Sequence, residues 1–186
     1  MATSHVDIEQ AAFRLFAEHG FDGTTLDDIA RVVGVGRRTL FRYFESKNDI
    51  PWGQFDRTLD GFRAILDAMP HDIPLWEAVH RGVMQFNDFP PEADPSHEQR
   101  MRLILETPAL QAHSVLRYTE WRQVIADYVA KRRSCSPGDL LPQTVGHVSL
   151  ALALSAYGVW LESPSESLQT LLDQSMRQLR EHLGAR

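Results

Sequence analysis

Apolar residues recur at steps of three and four along nearly the whole chain, and no sustained alternation of apolar and polar positions appears. That period predicts helices and no sheet. Ile8, Ala12, Leu15, Phe16 and His19 make one stripe over residues 5–19, and Gly20 ends it. Leu26, Ile29, Ala30 and Val33 make a short second stripe before Gly34, and Leu40 with Phe44 anchors a third segment. Residues 25–44 therefore read as two short helices around a turn whose Gly34 can take a positive φ at little cost. Trp52, Phe55, Leu59, Phe62 and Leu66 predict a long helix from Lys47 to about Met69, with Pro51 in or near its first turn. Further helices are expected over about 74–88, 96–107, 108–133, 142–162 and 164–183, separated by proline-bearing breaks.

Helix starts are marked by a capping residue with an acceptor three positions later. Ser4 with Asp7, Thr25 with Asp28, Ser46 with Asp49, Ser96 with Gln99 and Ser163 with Glu166 all fit, and Pro164 is expected at the first position of its helix.

The second helix of the 25–44 pair changes the picture from fold to chemistry. Arg31, Arg37, Arg38, Arg42 and Lys47 stand against the single acid Glu45 over residues 31–47, although the whole chain is acidic at −6. Residues 1–47 hold six Lys/Arg and seven Asp/Glu, whereas residues 48–186 hold thirteen and eighteen. A basic face on a nearly neutral head suits a polyanion, because each neutralised phosphate releases counterions. The layout is that of a helix-turn-helix whose second helix enters a DNA major groove. A cationic helix face is otherwise just a solvated surface, and spacing alone does not separate the two readings.

Three blocks add a resemblance: Ala-Ala-Phe-Arg-Leu-Phe-Ala-Glu-His-Gly-Phe, Thr-Thr-Leu-Asp-Asp-Ile-Ala, and Gly-Val-Gly-Arg-Arg-Thr-Leu-Phe-Arg-Tyr-Phe-Glu-Ser-Lys. In this order and register, over about residues 6–50, the chain resembles TetR-family transcriptional regulators. Residues 46–56 are also similar to the branch associated with mycofactocin gene clusters. The resemblance implies an all-α protein, with a three-helix N-terminal helix-turn-helix DNA-binding domain, residues 1–47. A C-terminal helical domain, 48–186, would bind the effector and dimerise. It implies DNA contacts from Thr25, Gly36, Arg37, Arg38, Thr39, Phe41, Arg42, Tyr43 and Lys47. Arg37 and Arg38 are best placed for base edges, and Thr39, Tyr43 and Lys47 for phosphates. The family most often has Tyr where this chain has Phe41, so a phenol contact is lost there; Phe41 touches a thymine methyl or simply packs.

The last two helices carry the assembly reading. Residues 145–160 are apolar nearly all round, from Val145 to Trp160, so that helix needs burial on more than one side. A homodimer through the last two helices meets that need and matches the two-fold symmetry of an operator; a fully intrachain core is the competing reading. An effector pocket is expected among Phe62, Phe86, Leu105, Tyr118, Trp121 and Tyr157, with His80, His113 and Arg117 as polar anchors. A small hydrophobic effector fits, with acyl-CoA thioesters as a candidate class by family analogy.

Enzyme readings find little footing. Glu77-x-x-His80 is the one clear copy of a motif that di-iron bundles need twice, and no two histidines fall at i and i+4. Cys135 stands alone, and Gly34-x-Gly36 lacks both the preceding strand and the lysine of a phosphate loop. No metal and no cofactor are expected. No run approaches the ~20 apolar residues of a membrane span, and the first residues lack a signal-peptide pattern, so a cytoplasmic location without a membrane partner is expected. The expected function is a DNA-binding, ligand-responsive repressor acting on a palindromic double-stranded operator. The competing expectation is a helical small-molecule binder or bundle enzyme that does not touch DNA.

Overall fold

The computed structural model describes residues 3–163 and 165–184, which form helices and connecting turns with no strand. In chain order they are α1 (His5–His19), α2 (Leu26–Val33), α3 (Arg37–Leu40), α4 (Phe55–Asp67), α5 (Leu75–Phe86), α6 (His97–Glu106), α7 (Pro108–Arg133), α8 (Leu140–Glu162) and α9 (Leu168–Gly184). A 3₁₀ helix, Lys47–Trp52, stands between α3 and α4.

Local chemistry sets several of these starts. Ser4, Thr25 and Ser96 each accept an N–H from three residues on, while Asp7, Asp28 and Gln99 reach back to the cap's own N–H. At Ser46 the Asp49 carboxylate accepts the backbone N–H at 2.9 Å and the hydroxyl at 2.7 Å. The fifth start differs from expectation. Ser163 closes α8, and α9 begins at Leu168, where Ser167 Oγ accepts from the Thr170 N–H at 3.1 Å. Burial of Leu168, Leu171 and Leu172 fixes that start more firmly than serine spacing does. Pro164, expected at a first helical position, lies outside the described residues.

The long helix expected from Lys47 to Met69 is divided. Pro51 lacks an N–H, and Gly53 takes φ 60°, so regular α geometry resumes only at Phe55. Glycine is needed at 53 for a second reason: a Cβ there would stand 3.1 Å from both carboxylate oxygens of Glu9.

The chain folds as two compact units. One is built from residues up to Phe55 together with Pro90–Ser114, the other from Asp56–Phe89 and from Val115 onward. The core of the first gathers Ile8, Phe16, Phe21, Ile29, Leu40, Phe44 and Ile50, and Leu110 from the start of α7 joins it at 0% exposure. Polar ties act beside this core. Arg100 of α6 pairs with Glu9 of α1 and donates to the Pro51 carbonyl, and its guanidinium lies over the Phe13 ring at 5.4 Å. His113 Nε2 sits 2.9 Å from Asp49 Oδ1.

In the second unit Phe62, Leu66, Val83, Ile125, Val129 and Leu172 are buried. Gly82 lets α5 approach α4, since a Cβ there would meet Leu66 Cδ2 at 2.4 Å. Arg132 donates to the Pro70, His71 and Ile73 carbonyls and so fastens the α4–α5 loop. By length and composition alone α8 is apolar enough to cross a membrane, a property that core helices share, and 33% of its most apolar window is buried within the chain.

Candidate nucleic-acid interface

Residues 25–47 build one surface of the first unit, and its geometry starts at Thr25. Thr25 Oγ1 accepts the Asp28 N–H at 3.2 Å and the Thr25 N–H returns to Asp28 Oδ2 at 3.0 Å. The Thr25 hydroxyl, donating to Asp28 Oδ2 at 2.5 Å, is the main cause that holds the Asp28 carboxyl below its ordinary pKa, followed by the Thr25 N–H and the adjacent Arg31. Gly34 ends α2 in the left-handed region (φ 76°, ψ 31°), and the Val35 N–H reaches back to the Ala30 carbonyl at 3.0 Å. The chain thereby turns into α3 with Gly36 as its side-chain-free cap.

Regular α geometry in the second helix covers only Arg37–Leu40, and the expected extent to Phe44 is completed by turns. Arg42, Tyr43 and Phe44 donate backward to the Thr39 and Leu40 carbonyls at 3.0–3.1 Å. Leu40 and Phe44 are buried and fix the roll of this segment. That roll leaves Arg37, Arg38, Phe41 and Arg42 exposed, with Thr39 half-buried between them. Arg37 lies 3.3 Å from Asp27 in an ion pair more than half exposed, and its guanidinium stands 5.6 Å from the Phe41 ring centre. Arg38 and Arg42 have no carboxylate partner among the described residues.

Tyr43 and Lys47 face inward instead. The Tyr43 hydroxyl donates to the Thr3 carbonyl, with the His5 ring edge-on at 4.9 Å. Lys47 Nζ donates to the Phe21 carbonyl at 2.7 Å and the Thr24 carbonyl at 2.9 Å, and lies 4.3 Å from the Phe21 ring centre. It opens the 3₁₀ helix, not the first turn of α4. A phosphate would have to compete with two carbonyls and a ring for this ammonium.

The candidate effector residues are spread over both units. Phe62, Phe86 and Trp121 close on one another, with Phe62 at 4.5 Å from Phe86 and 5.3 Å from Trp121 between ring centres. Phe62 and Trp121 are buried, so the group is packed core. Tyr157 donates to Asn87 Oδ1 at 2.6 Å, and burial raises its phenol well above the ordinary pKa. Tyr118 is half-buried on α7, and Leu105, half-buried on α6, belongs to the first unit. Of the expected polar anchors, His113 pairs with Asp49 in the first unit, His80 lies 3.1 Å from Asp173 in the second, and Arg117 pairs with Glu120. Sequence reading missed the inward Lys47 and the stacking of Arg180 on Trp76 at 3.8 Å. Neither has a local signal, because each joins residues far apart in the chain. Among the described residues no cluster of His, Cys, Asp and Glu could hold a metal.

The chain is similar to known proteins along most of its length. Residues 8–50 match the family described as bacterial regulatory proteins, tetR family, and residues 73–184 match the MftR C-terminal domain. A Mycobacterium tuberculosis protein assigned as the mycofactocin biosynthesis transcriptional regulator MftR is 45% identical over 171 residues, covering 92% of this chain and 86% of that protein. Among solved structures, Thermus thermophilus FadR, a repressor in complex with lauroyl-CoA, has TM-score 0.64 at 20% identity, covering 98% and 96%. The fatty acid degradation regulator FadR of Bacillus halodurans has TM-score 0.68 at 18% identity, covering 98% and 100%. At those identities the likeness concerns the fold alone.

Proposed function

The chain is a transcriptional regulator of the TetR family, and we propose that it is a repressor that binds a palindromic operator as a homodimer. A small hydrophobic effector taken up by its C-terminal region, within residues 48–186, releases it. The observation that carries the DNA reading is the pair Arg38 and Arg42. Both are exposed beside the buried anchors Leu40 and Phe44 and lack a carboxylate partner among the described residues. Arg37 and Arg38 reach base edges, Arg42 and Thr39 meet phosphates, and Phe41 offers an apolar edge to a thymine methyl. Thr25 and Gly36 set the approach of the backbone. Lys47 and Tyr43 act mainly by holding α3 against α1 and α2. DNA as the partner places the protein in the cytoplasm.

Assembly follows from α8. Its buried side is lined by Pro142, Gly146, Ala153 and Ala156, and on the opposite side Ala151, Ser155, Gly158 and Val159 are exposed. Small residues let a second helix approach closely, so this stripe, with α9, suits a copy of the same chain. The effector class draws support from the lauroyl-CoA complex of the Thermus regulator, which favours a ligand with an acyl chain.

Genome-wide recovery of bound DNA, followed by anisotropy titration on the recovered site, tests the reading. We expect a palindrome, with affinity falling steeply with salt. Binding no tighter to the recovered site than to unrelated duplex would end the proposal. For assembly, Ala151→Glu should convert a dimer of about twice 21.2 kDa into a folded monomer. Its exposure leaves the monomer's core untouched, so an unchanged dimer would place the interface elsewhere.

A further inference from the structure

We propose that a cleft between α5, α8 and α9 binds a single-chain amphiphile with one negative charge, its tail in an apolar groove and its carboxylate on Arg180. The proposal goes beyond the effector reading by naming a site and a head group, and it rests on that reading for any effect on DNA.

Two adjoining cavities in the second unit carry it. The first, about 430 Å³, is lined by Trp76, His80, Arg81 and Met84 of α5 and by Asp173, Arg177 and Arg180 of α9, among others. The second, about 640 Å³, is a mostly apolar groove that includes Leu75 and Val79 of α5, Val145 and Leu152 of α8, and Met176 and Leu179 of α9. They share Trp76, His80, Arg177 and Arg180, so the cationic end opens onto the apolar one. Both volumes fall within the roughly 300–1,000 Å³ of small-molecule sites.

The charges at the head end decide the ligand. Arg81 is matched by Glu77 at 2.7 Å and Arg177 by Asp173 at 2.8 Å. His80 lies 3.1 Å from the other Asp173 oxygen, and its Nε2 is buried without a well-aligned hydrogen bond. Arg180 is left. Its guanidinium lies 3.8 Å from the Trp76 ring centre and has no carboxylate partner among the described residues. Stacking occupies the face of the guanidinium and leaves its in-plane N–H groups free for a carboxylate. Three arginines against two acids leave one positive charge, which suits a monoanion better than a polyphosphate head. Arg133, the other cation on the groove, stands outside this pocket.

The test is calorimetric titration of the full-length protein with dodecanoate, dodecanol and lauroyl-CoA. Wild type should bind dodecanoate more tightly than dodecanol. Arg180→Gln should weaken dodecanoate about tenfold or more and leave dodecanol unchanged, as expected for losing a hydrogen-bonded charge. Arg133→Gln should leave both unchanged, and Leu75→Trp should block both by filling the groove. Equal binding of acid and alcohol by wild type, or a head-group preference lost in Arg133→Gln instead, would overturn the assignment. So would a Leu75→Trp variant that turns monomeric, because the groove would then be covered by a second copy. If lauroyl-CoA releases the operator equally well in wild type and Arg180→Gln, the effector reading stands and the cleft is excluded as its site. If no amphiphile releases the operator while dodecanoate still binds through Arg180, the site stands and the effector reading falls.

Discussion

Phe41 and Phe62 occupy comparable places in helical patterns, yet Phe41 is 43% exposed beside free cations and Phe62 is fully buried against Phe86 and Trp121. The surface of α3 and the aromatic cluster of the second unit thus use similar side chains for opposite ends. On the α3 segment two buried anchors set the roll and leave Arg37, Arg38, Phe41 and Arg42 exposed to meet a partner. In the cluster, every ring is consumed by its neighbours. An aromatic residue marks an interface only where charge surrounds it and packing does not claim it. The same contrast separates Arg38, unpaired and exposed, from Arg100, locked between Glu9 and the Pro51 carbonyl.

The sharpest way to break this comparison is truncation on both sides. Phe62→Ala should cost about 3–5 kcal/mol of stability, the range for deleting a buried ring. Phe41→Ala should stay within about 0.5 kcal/mol, as exposed substitutions do. Urea unfolding followed by circular dichroism measures both. Comparable losses would mean that Phe41 is packed, and its place on the reading surface would be lost.

A second test asks whether the first unit holds together as described. Arg100→Ala leaves the Glu9 carboxylate buried without its partner and should destabilise that unit by about 3 kcal/mol. Adding Glu9→Gln should restore part of the loss, because the stranded charge disappears. A double variant no more stable than the single would show that Arg100 acts through packing on Phe13 rather than by charge.

Next in size is the contrast between the free and the engaged cations. Arg38→Ala should weaken operator binding by about 1–3 kcal/mol with unchanged melting temperature. Lys47→Ala should instead lower the melting temperature of the first unit, since two carbonyls lose their donor. Stability unchanged in Lys47→Ala, with a flatter salt dependence of binding, would return Lys47 to the phosphates.

These outcomes track what a single sequence can carry. Caps are local, so Ser4, Thr25, Ser46 and Ser96 were readable from spacing, as were the full extents of α1 and α7. The break at Gly53 was not readable. Its glycine answers to Glu9 and Arg100, which come together only in the folded unit. The start of α9 was misplaced because several serines stand near it and only burial chooses among them. On α3 the arginines were legible as a charge anomaly, whereas the inward turn of Lys47 and Tyr43 depends on carbonyls at Phe21, Thr24 and Thr3. The pairing of Trp76 with Arg180 gives no sequence signal at all.

The smallest effect is a pH dependence that also differs between the units. Burial, with the positive charge of Arg100 as a lesser cause, lowers the His97 pKa from 6.5 to about 4. The unfolded chain therefore takes up a proton below pH 6.5 that the folded chain refuses until about pH 4. Stability contributed by neutral His97 is complete above 6.5 and is lost as pH falls through that window. The slope is at most about 1.4 kcal/mol per pH unit, and solvent reaching the partly exposed ring reduces it. His97→Gln removes the titration and should flatten the acid limb between pH 6 and 4.5. Trp52 is the tryptophan of the first unit, while Trp76, Trp121 and Trp160 belong to the second. A variant with Trp52 as its only tryptophan follows the first unit alone, and there the flattening should be seen. The second unit has its own acid-sensitive group, because burial also lowers the His80 pKa despite nearby Asp173. Its acid limb should persist in His97→Gln. An acid limb of the first unit unchanged by His97→Gln would show that His97 does not set it.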